Sequence, residues 1–159
     1  MSLKIYGTSS LTVDSKGRIV IPAKYRDLLK QSCEGILAVT KDPQYPCLLI
    51  YPGKLWNKIS SKFESLGGLN PKTRSMQRKI LGNASVIDFQ ISERMSLLIP
   101  QLLREFVSIK PKSQIALVGM GSKFELWSLE NWKRKELGFQ VEGENLLEDL
   151  PQNLEEIPF

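Results

Sequence analysis

Two stretches of this chain, 78 residues apart, repeat one apolar skeleton, and no other feature constrains the fold as much. The first is Leu11-Thr-Val-Asp-Ser-Lys-Gly-Arg-Ile-Val-Ile-Pro-Ala-Lys-Tyr-Arg26. The second is Phe89-Gln-Ile-Ser-Glu-Arg-Met-Ser-Leu-Leu-Ile-Pro-Gln-Leu-Leu-Arg104. Laying Pro22 over Pro100 also aligns Val13 with Ile91, Ile21 with Ile99 and Arg26 with Arg104. Two copies are too few for a solenoid, so the spacing predicts two similar units in one chain.

In the first copy Asp14-Ser15-Lys16-Gly17 reads as a tight turn. Aspartate at its first position can accept a hydrogen bond from the backbone two residues on, and glycine at its last position suits the exit. The turn lies between an apolar alternation (Leu11, Val13) and a β-branched run (Ile19, Val20, Ile21), which predicts a strand on each side. Pro22 suits the first turn of a short helix, where its missing N–H has no partner to lose. Lys16 and Arg18 stand two apart and share a strand face.

The second copy keeps the skeleton and loses the chemistry. Asp14, Lys16, Gly17 and Arg18 become Ser92, Arg94, Met95 and Ser96. Counting from Ala84 gives a register shorter by two, with Gln90, Glu93 and Arg94 in the places of Asp14, Gly17 and Arg18. Arg94 and Ser96 share a strand face in both.

Elsewhere the pattern predicts strands at 35–40, 47–51, 85–91, 95–99, 114–119 and 123–128. A helix from Pro52 to about Leu66 carries Leu55, Ile59, Phe63 and Leu66 on one side. Asn70-Pro71 starts another, with Asn as cap and Pro at its first position. Its Lys72, Arg74, Arg78 and Lys79, without an acid, fit either a phosphate-tracking face or a solvated one. A closing helix follows over Leu129–Glu136. Trp56, Trp127 and Trp132 fall in apolar patterns and read as core.

Charge is informative once located. Residues 139–159 hold Glu142, Glu144, Glu148, Asp149, Glu155 and Glu156 and no Lys or Arg, which leaves 22 basic against 11 acidic residues in the body. A basic body attracts polyanions. The tail's Leu146, Leu147, Leu150, Leu154 and Ile157 fit an amphipathic segment that docks on its own body or a neighbouring subunit, or a solvated end. Its acids would also screen the basic face.

Enzyme chemistry has little to work with: no histidine, no metal-ligand spacing, no nucleophile motif and no phosphate loop. No cofactor, metal or small-molecule substrate is implied. Cys33 and Cys47 read as small packed groups in a reducing, cytoplasmic setting; the alternative is a disulfide switch. No run approaches the ~20 apolar residues of a membrane span, and the N-terminus has no signal-peptide core.

The first stretch resembles the Asp-x-x-Gly-Arg signature of the MraZ family, whose chains carry two SpoVT/AbrB-type domains. The likeness continues in order through Ala38-Val-Thr40, Cys47-Leu-Leu-Ile-Tyr-Pro52, Trp56, Arg74, Arg78, Ala84, Val118-Gly119, Phe124-Glu-Leu-Trp-Ser128 and Trp132. It covers roughly residues 3–135. The departure is the second signature, whose aspartate and glycine are missing.

The resemblance implies an α+β fold of two swapped-hairpin SpoVT/AbrB-like β-barrel domains that form a pseudo-dimer within the chain, with short flanking helices. The expected division is 1–52 for the first domain, 53–83 for a helical connector, 84–128 for the degenerate second domain, and 129–159 for closing helix and acidic tail. It also implies a sequence-specific DNA-binding transcriptional regulator, a nucleoid-associated repressor of the division and cell-wall gene cluster and its own promoter. Such a protein assembles as a ring-shaped homo-oligomer on direct repeats in double-stranded DNA. Candidate DNA contacts are Arg18 on a base edge, Lys16 on phosphate, and Lys24; Asp14 and Gly17 form the turn. Arg94 is the candidate contact from the second half. Two alternatives remain. Arg18 could instead pair with Asp14, and the whole chain could be an AbrB-type antitoxin or a non-specific architectural DNA-binding protein.

Overall fold

A computed structural model describes residues 3–32, 35–88 and 94–142. In chain order its elements are β1 (Ile5–Thr12), β2 (Arg18–Val20), α1 (Ala23–Ser32), β3 (Ile36–Lys41), β4 (Leu48–Pro52), α2 (Gly53–Ser65), α3 (Pro71–Ile80), β5 (Ser85–Asp88), β6 (Ser96–Leu98), α4 (Gln101–Phe106), β7 (Gln114–Gly121), β8 (Phe124–Ser128) and α5 (Leu129–Glu142). They form an α+β fold of two similar sheet-and-helix units related by pseudo-two-fold symmetry.

The halves interlock through their strands. One six-stranded sheet runs β1-β7-β8-β4-β3-β5, and a two-stranded ribbon pairs β2 with β6. The first strand of each half therefore pairs in the other half: β1 lies antiparallel to β7 and β5 to β3. The pseudo-axis passes through Leu49↔Glu125 at the centre of the sheet and Ile19↔Leu97 at the centre of the ribbon. Pairing across the halves covers one edge of β3 and one of β7 and leaves β1 and β5 as the edges of the sheet. Gly119 lets β1 and β7 close up: a Cβ there would stand 2.8 Å from the Ile5 carbonyl group and Tyr6 N.

Both sequence registers occur, in different parts of the fold. The ribbon pairing (Arg18↔Leu98, Val20↔Ser96) is symmetric at a spacing of 78. The β4–β8 pairing (Leu48↔Leu126, Ile50↔Phe124) is symmetric at 76. The outer pairings require 76 for β1 on β5 as well, given 78 for β3 on β7. The two extra residues thus fall between Asp88 and Met95. Residues 89–93, with Gln90, Ser92 and Glu93, lie outside those described, as do Cys33 and the tail beyond Glu142.

Two apolar layers sandwich the sheet. On one side Leu37, Val39, Leu48, Ile50, Ile115, Leu117, Phe124 and Leu126 meet Ile19 and Leu97 of the ribbon, Tyr25 and Leu29 of α1, Leu103 of α4 and Val107 just after it. Each such side chain contributes about 1.5–3 kcal/mol on burial. On the other, Ala38, Leu49 and Tyr51 receive Trp56 of α2 and Ile80 of α3, while Ala116, Val118 and Trp127 pack with Cys47 and Trp132 of α5. Trp56 and Trp132 are pseudo-symmetric: the Tyr51–Trp56 rings lie 5.9 Å apart and the Trp127–Trp132 rings 5.8 Å.

The local signals hold with small shifts. Asn70 caps α3, its side-chain oxygen accepting from Lys72 N (2.9 Å) and Thr73 N (3.4 Å), with Pro71 next. α1 starts at Ala23, just past Pro22, and runs a full ten residues. α5 continues beyond the expected Glu136 to Glu142; Gly138 costs a helix about 1 kcal/mol relative to alanine and does not end it.

Candidate nucleic-acid interface

The Asp14 turn is closed by its own backbone and by the Asp14 carboxylate. Gly17 N donates to Asp14 O (3.1 Å) and Asp14 N to Arg18 O (2.9 Å). The Asp14 carboxylate oxygen Oδ1 accepts from Lys16 N and Arg18 N, each at 2.8 Å. The Arg18 amide first, and after it the Lys16 amide and both cationic side chains, hold the Asp14 carboxyl below its ordinary 3.8 against the opposing effect of desolvation. Asp14 is therefore a turn former whose oxygen is taken by amides. That leaves the exposed Arg18 guanidinium to face outward rather than serve as the turn's clasp.

Gly17 is required twice. Its φ of +85° lies in the left-handed region. A Cβ would also stand 2.5 Å from Cζ and Nη1 of Arg104, which comes across from the other half. Arg104 is itself fixed, since its Nε donates to Ile99 O (2.9 Å). Arg26 does the same in the first half, donating from Nε to Ile21 O (3.1 Å). The repeat thus marks a structural arginine pair. The role of Arg104 as a wall behind the first turn was not foreseen. The signal was its survival in a copy that had lost the rest of the motif.

At the second turn the backbone settles what takes each place. Met95 has φ +47° and holds the position of Gly17. Ile99 N donates to Gly17 O (3.3 Å), and its symmetry mate Ile21 N donates to Met95 O (3.2 Å). Here the spacing of 78 applies, so Arg94 corresponds to Lys16 and Ser96 to Arg18. The reading that put Arg94 in the signature arginine's place does not fit this backbone. Met95 tolerates the left-handed region because its side chain is buried, 2% exposed, in the main core. Burying a methionine offsets a strain of comparable size.

The outward face of the ribbon is consequently asymmetric. Arg18 lies opposite Leu98, which is 50% exposed, and Val20, 40% exposed, lies opposite Ser96. Lys16 and Arg94 are exposed at the turns leading into the two strands. Lys24 belongs elsewhere: its Nζ lies 4.9 Å from the Tyr25 ring centroid and beside Gly7 of β1. The basic α3 packs on the sheet face opposite the ribbon, and its Arg74 Nε donates to Gly68 O (2.9 Å). The structure therefore unites Asp14, Lys16, Gly17 and Arg18 in one turn and does not bring α3 to it.

One cluster escaped the sequence. Asp42, Cys47 and Glu125 bring ligand-type atoms within 4.8 Å of one another. Each has an internal partner. Cys47 Sγ donates to Asp42 Oδ2 (3.6 Å), Asp42 Oδ1 accepts from Gln44 N and Tyr45 N, and Glu125 Oε1 accepts from Trp127 Nε1 (3.0 Å). Burial first, then the Glu125 and Asp42 charges, push the thiol far above its ordinary range. A buried, protonated Cys47 agrees with its reading as a packed group.

The chain is thus a duplicated, interlocked α+β protein with an exposed cationic turn on a β-ribbon. A family model described as "MraZ protein, putative antitoxin-like" matches residues 5–79. A protein named Transcriptional regulator MraZ from Nitrosomonas europaea is 46% identical over 126 residues, covering 79% of this chain and 82% of its own. Proteins of the same name from Nitrosospira multiformis and Coxiella burnetii are 41% identical over 150 residues and 39% over 148; they cover 94% and 93% of this chain, and 95% of their own length. The chain belongs to the MraZ family of transcriptional regulators, which are not enzymes. Among the described residues no helix is long and apolar enough to cross a membrane.

Proposed function

We propose that this chain is a cytoplasmic, nucleoid-associated repressor that binds direct repeats upstream of its own gene and of a division and cell-wall gene cluster. It does so as a ring-shaped homo-oligomer. We read the interlocked units as SpoVT/AbrB-like swapped-hairpin barrels, divided at 1–52, 53–83, 84–128 and 129–159.

One observation carries this reading: Arg18 leaves a turn that is clamped by Asp14 and backed by Arg104, and its guanidinium is exposed on a two-stranded ribbon. A ribbon of that kind fits the major groove. A guanidinium presented there forks onto the O6 and N7 of guanine, for about 1–3 kcal/mol of discrimination per contact. Lys16, a point charge on the same turn, serves phosphate. Several turns on one ring turn each later contact into an intramolecular one, which favours repeated sites.

The test is a band-shift titration on DNA from upstream of the gene, beside a random fragment, at two salt concentrations. Arg18→Ala should abolish the preference for the upstream DNA. Arg94→Ala, in the place of a phosphate-type lysine, should weaken both fragments alike and leave the preference. Equal loss of preference from both variants would refute the asymmetric reader. The matched model's antitoxin-like description favours a second reading, in which the chain caps a small basic toxin. Co-expression with its neighbouring genes would then recover a stable basic partner.

A further inference from the structure

Among the described residues the pseudo-symmetry is incomplete on the sheet face opposite the ribbon. At the spacing of 76, α2 maps onto α5 and Trp56 onto Trp132. In the first unit α2 is followed by α3, which covers β3. Its Ile80 is buried against Ala38, Leu49 and Tyr51, and Thr40 Oγ1 donates to Ile80 O (2.6 Å). Among the described residues nothing follows α5 in that role. On the counterpart strand β7 and its partner β1, Met120 is 48% exposed and its cross-strand mate Tyr6 is 64% exposed. Both point to the face of Val118 and Trp127, because Met120 alternates with Gly119 from Val118.

We propose that residues 143–159 dock on this bare face of β1 and β7, around Tyr6 and Met120, in the place α3 occupies in the first unit. The length suffices: α3 uses only residues 66–80 beyond α2, and residues 143–159 follow α5. Leu147, Leu150, Leu154 and Ile157 repeat the intervals of Thr73, Met76, Ile80 and Asn83, four of the positions of α3 and its exit that are buried or half-buried, beside Gln77, Leu81 and Ala84. Pro151 interrupts the run, so the proposal concerns the contact and not a copy of the helix.

Charge selects the same occupant. The segment carries Glu144, Glu148, Asp149, Glu155 and Glu156 without a Lys or Arg. Lys4 precedes β1 and Lys123 sits in the β7–β8 turn, both at the Tyr6–Met120 end of the sheet. Lys123 Nζ lies on this face but reaches over β4, 5.6 Å from the Tyr51 ring centroid, so it flanks the Tyr6–Met120 patch rather than lining it. Acids at the end of an apolar segment would meet these ammonium groups once the leucines cover the sheet. This contact does not depend on the DNA-binding reading.

The test uses the full chain in a Cys33→Ser background, in which buried Cys47 is unreactive. Met120→Cys is alkylated under native conditions, with and without Leu150→Asp and Leu154→Asp together. Leu69→Cys, at a site 95% exposed between α2 and α3, sets the free rate. Docking predicts that the thiol introduced at 120 reacts at least tenfold more slowly than the one at 69. The paired aspartates should restore the free rate, and neither rate should depend on protein concentration. A thiol at 120 that reacts at the free rate with the native tail overturns the proposal. So does protection that survives the aspartates or relaxes on dilution, since a second copy would then cover the face.

Discussion

Gly17→Ala is the sharpest test of how the cationic turn is held. The methyl group meets two separate costs. At φ +85° an L-residue pays about 1–2 kcal/mol for the left-handed region. The new Cβ also falls 2.5 Å from the Arg104 guanidinium, which must swing away and strain or lose its bond to Ile99 O. A net loss of about 1 kcal/mol follows for that bond, since the displaced head can find water. Urea denaturation should therefore show Gly17→Ala destabilised by about 2–3 kcal/mol. In an Arg104→Ala background the wall is gone, and the same substitution should cost only the backbone term. A double-mutant cycle should thus return a coupling of about 1 kcal/mol. A coupling near zero would refute the claim that Arg104 backs the turn. A total below about 0.5 kcal/mol would refute the need for glycine itself.

Three further outcomes are expected. Met95→Gly removes strain but empties a core site, so denaturation should show a net loss of about 1–2 kcal/mol rather than a gain. Asn70→Ala leaves Lys72 N and Thr73 N without their acceptor and should cost about 1 kcal/mol by the same measurement. Tyr51 is pushed from 10.0 up to about 12 by burial, with the Asp42 charge next. A raised phenol means that the folded state prefers the neutral form, so its stabilisation is intact below pH 10 and lost as pH rises through about 12. Denaturation across that window should show Tyr51→Phe losing less stability than the native chain, by roughly 1–3 kcal/mol.

Features set by neighbours in sequence were legible without the fold. Asp14 and Gly17 declare a turn because the bonds that close it span at most four residues. Asn70-Pro71 declares a helix start for the same reason, and the repeated skeleton declares two units. The structural role of Arg26 was legible too, through its echo at Arg104. The second turn was not: the two registers fit the letters equally well, because a shift of two leaves every strand residue on the same face.

Strand pairing decided the rest. That β1 lies on β7 and β5 on β3 depends on contacts between residues far apart in the chain, which no local pattern encodes. Only this interlocking carries Arg104 to Gly17, sets Leu98 beside Arg18, and gathers Asp42, Cys47 and Glu125. It also turns the basic α3 away from the ribbon, since alternate residues of β3 and β4 face opposite sides of one sheet. The sequence by itself determined the turn, the helix caps and the duplication, each a matter of short-range hydrogen bonding and apolar period. The tertiary structure alone decided which residues of one half complete the site of the other, because that follows from edge strands finding partners across the pseudo-axis.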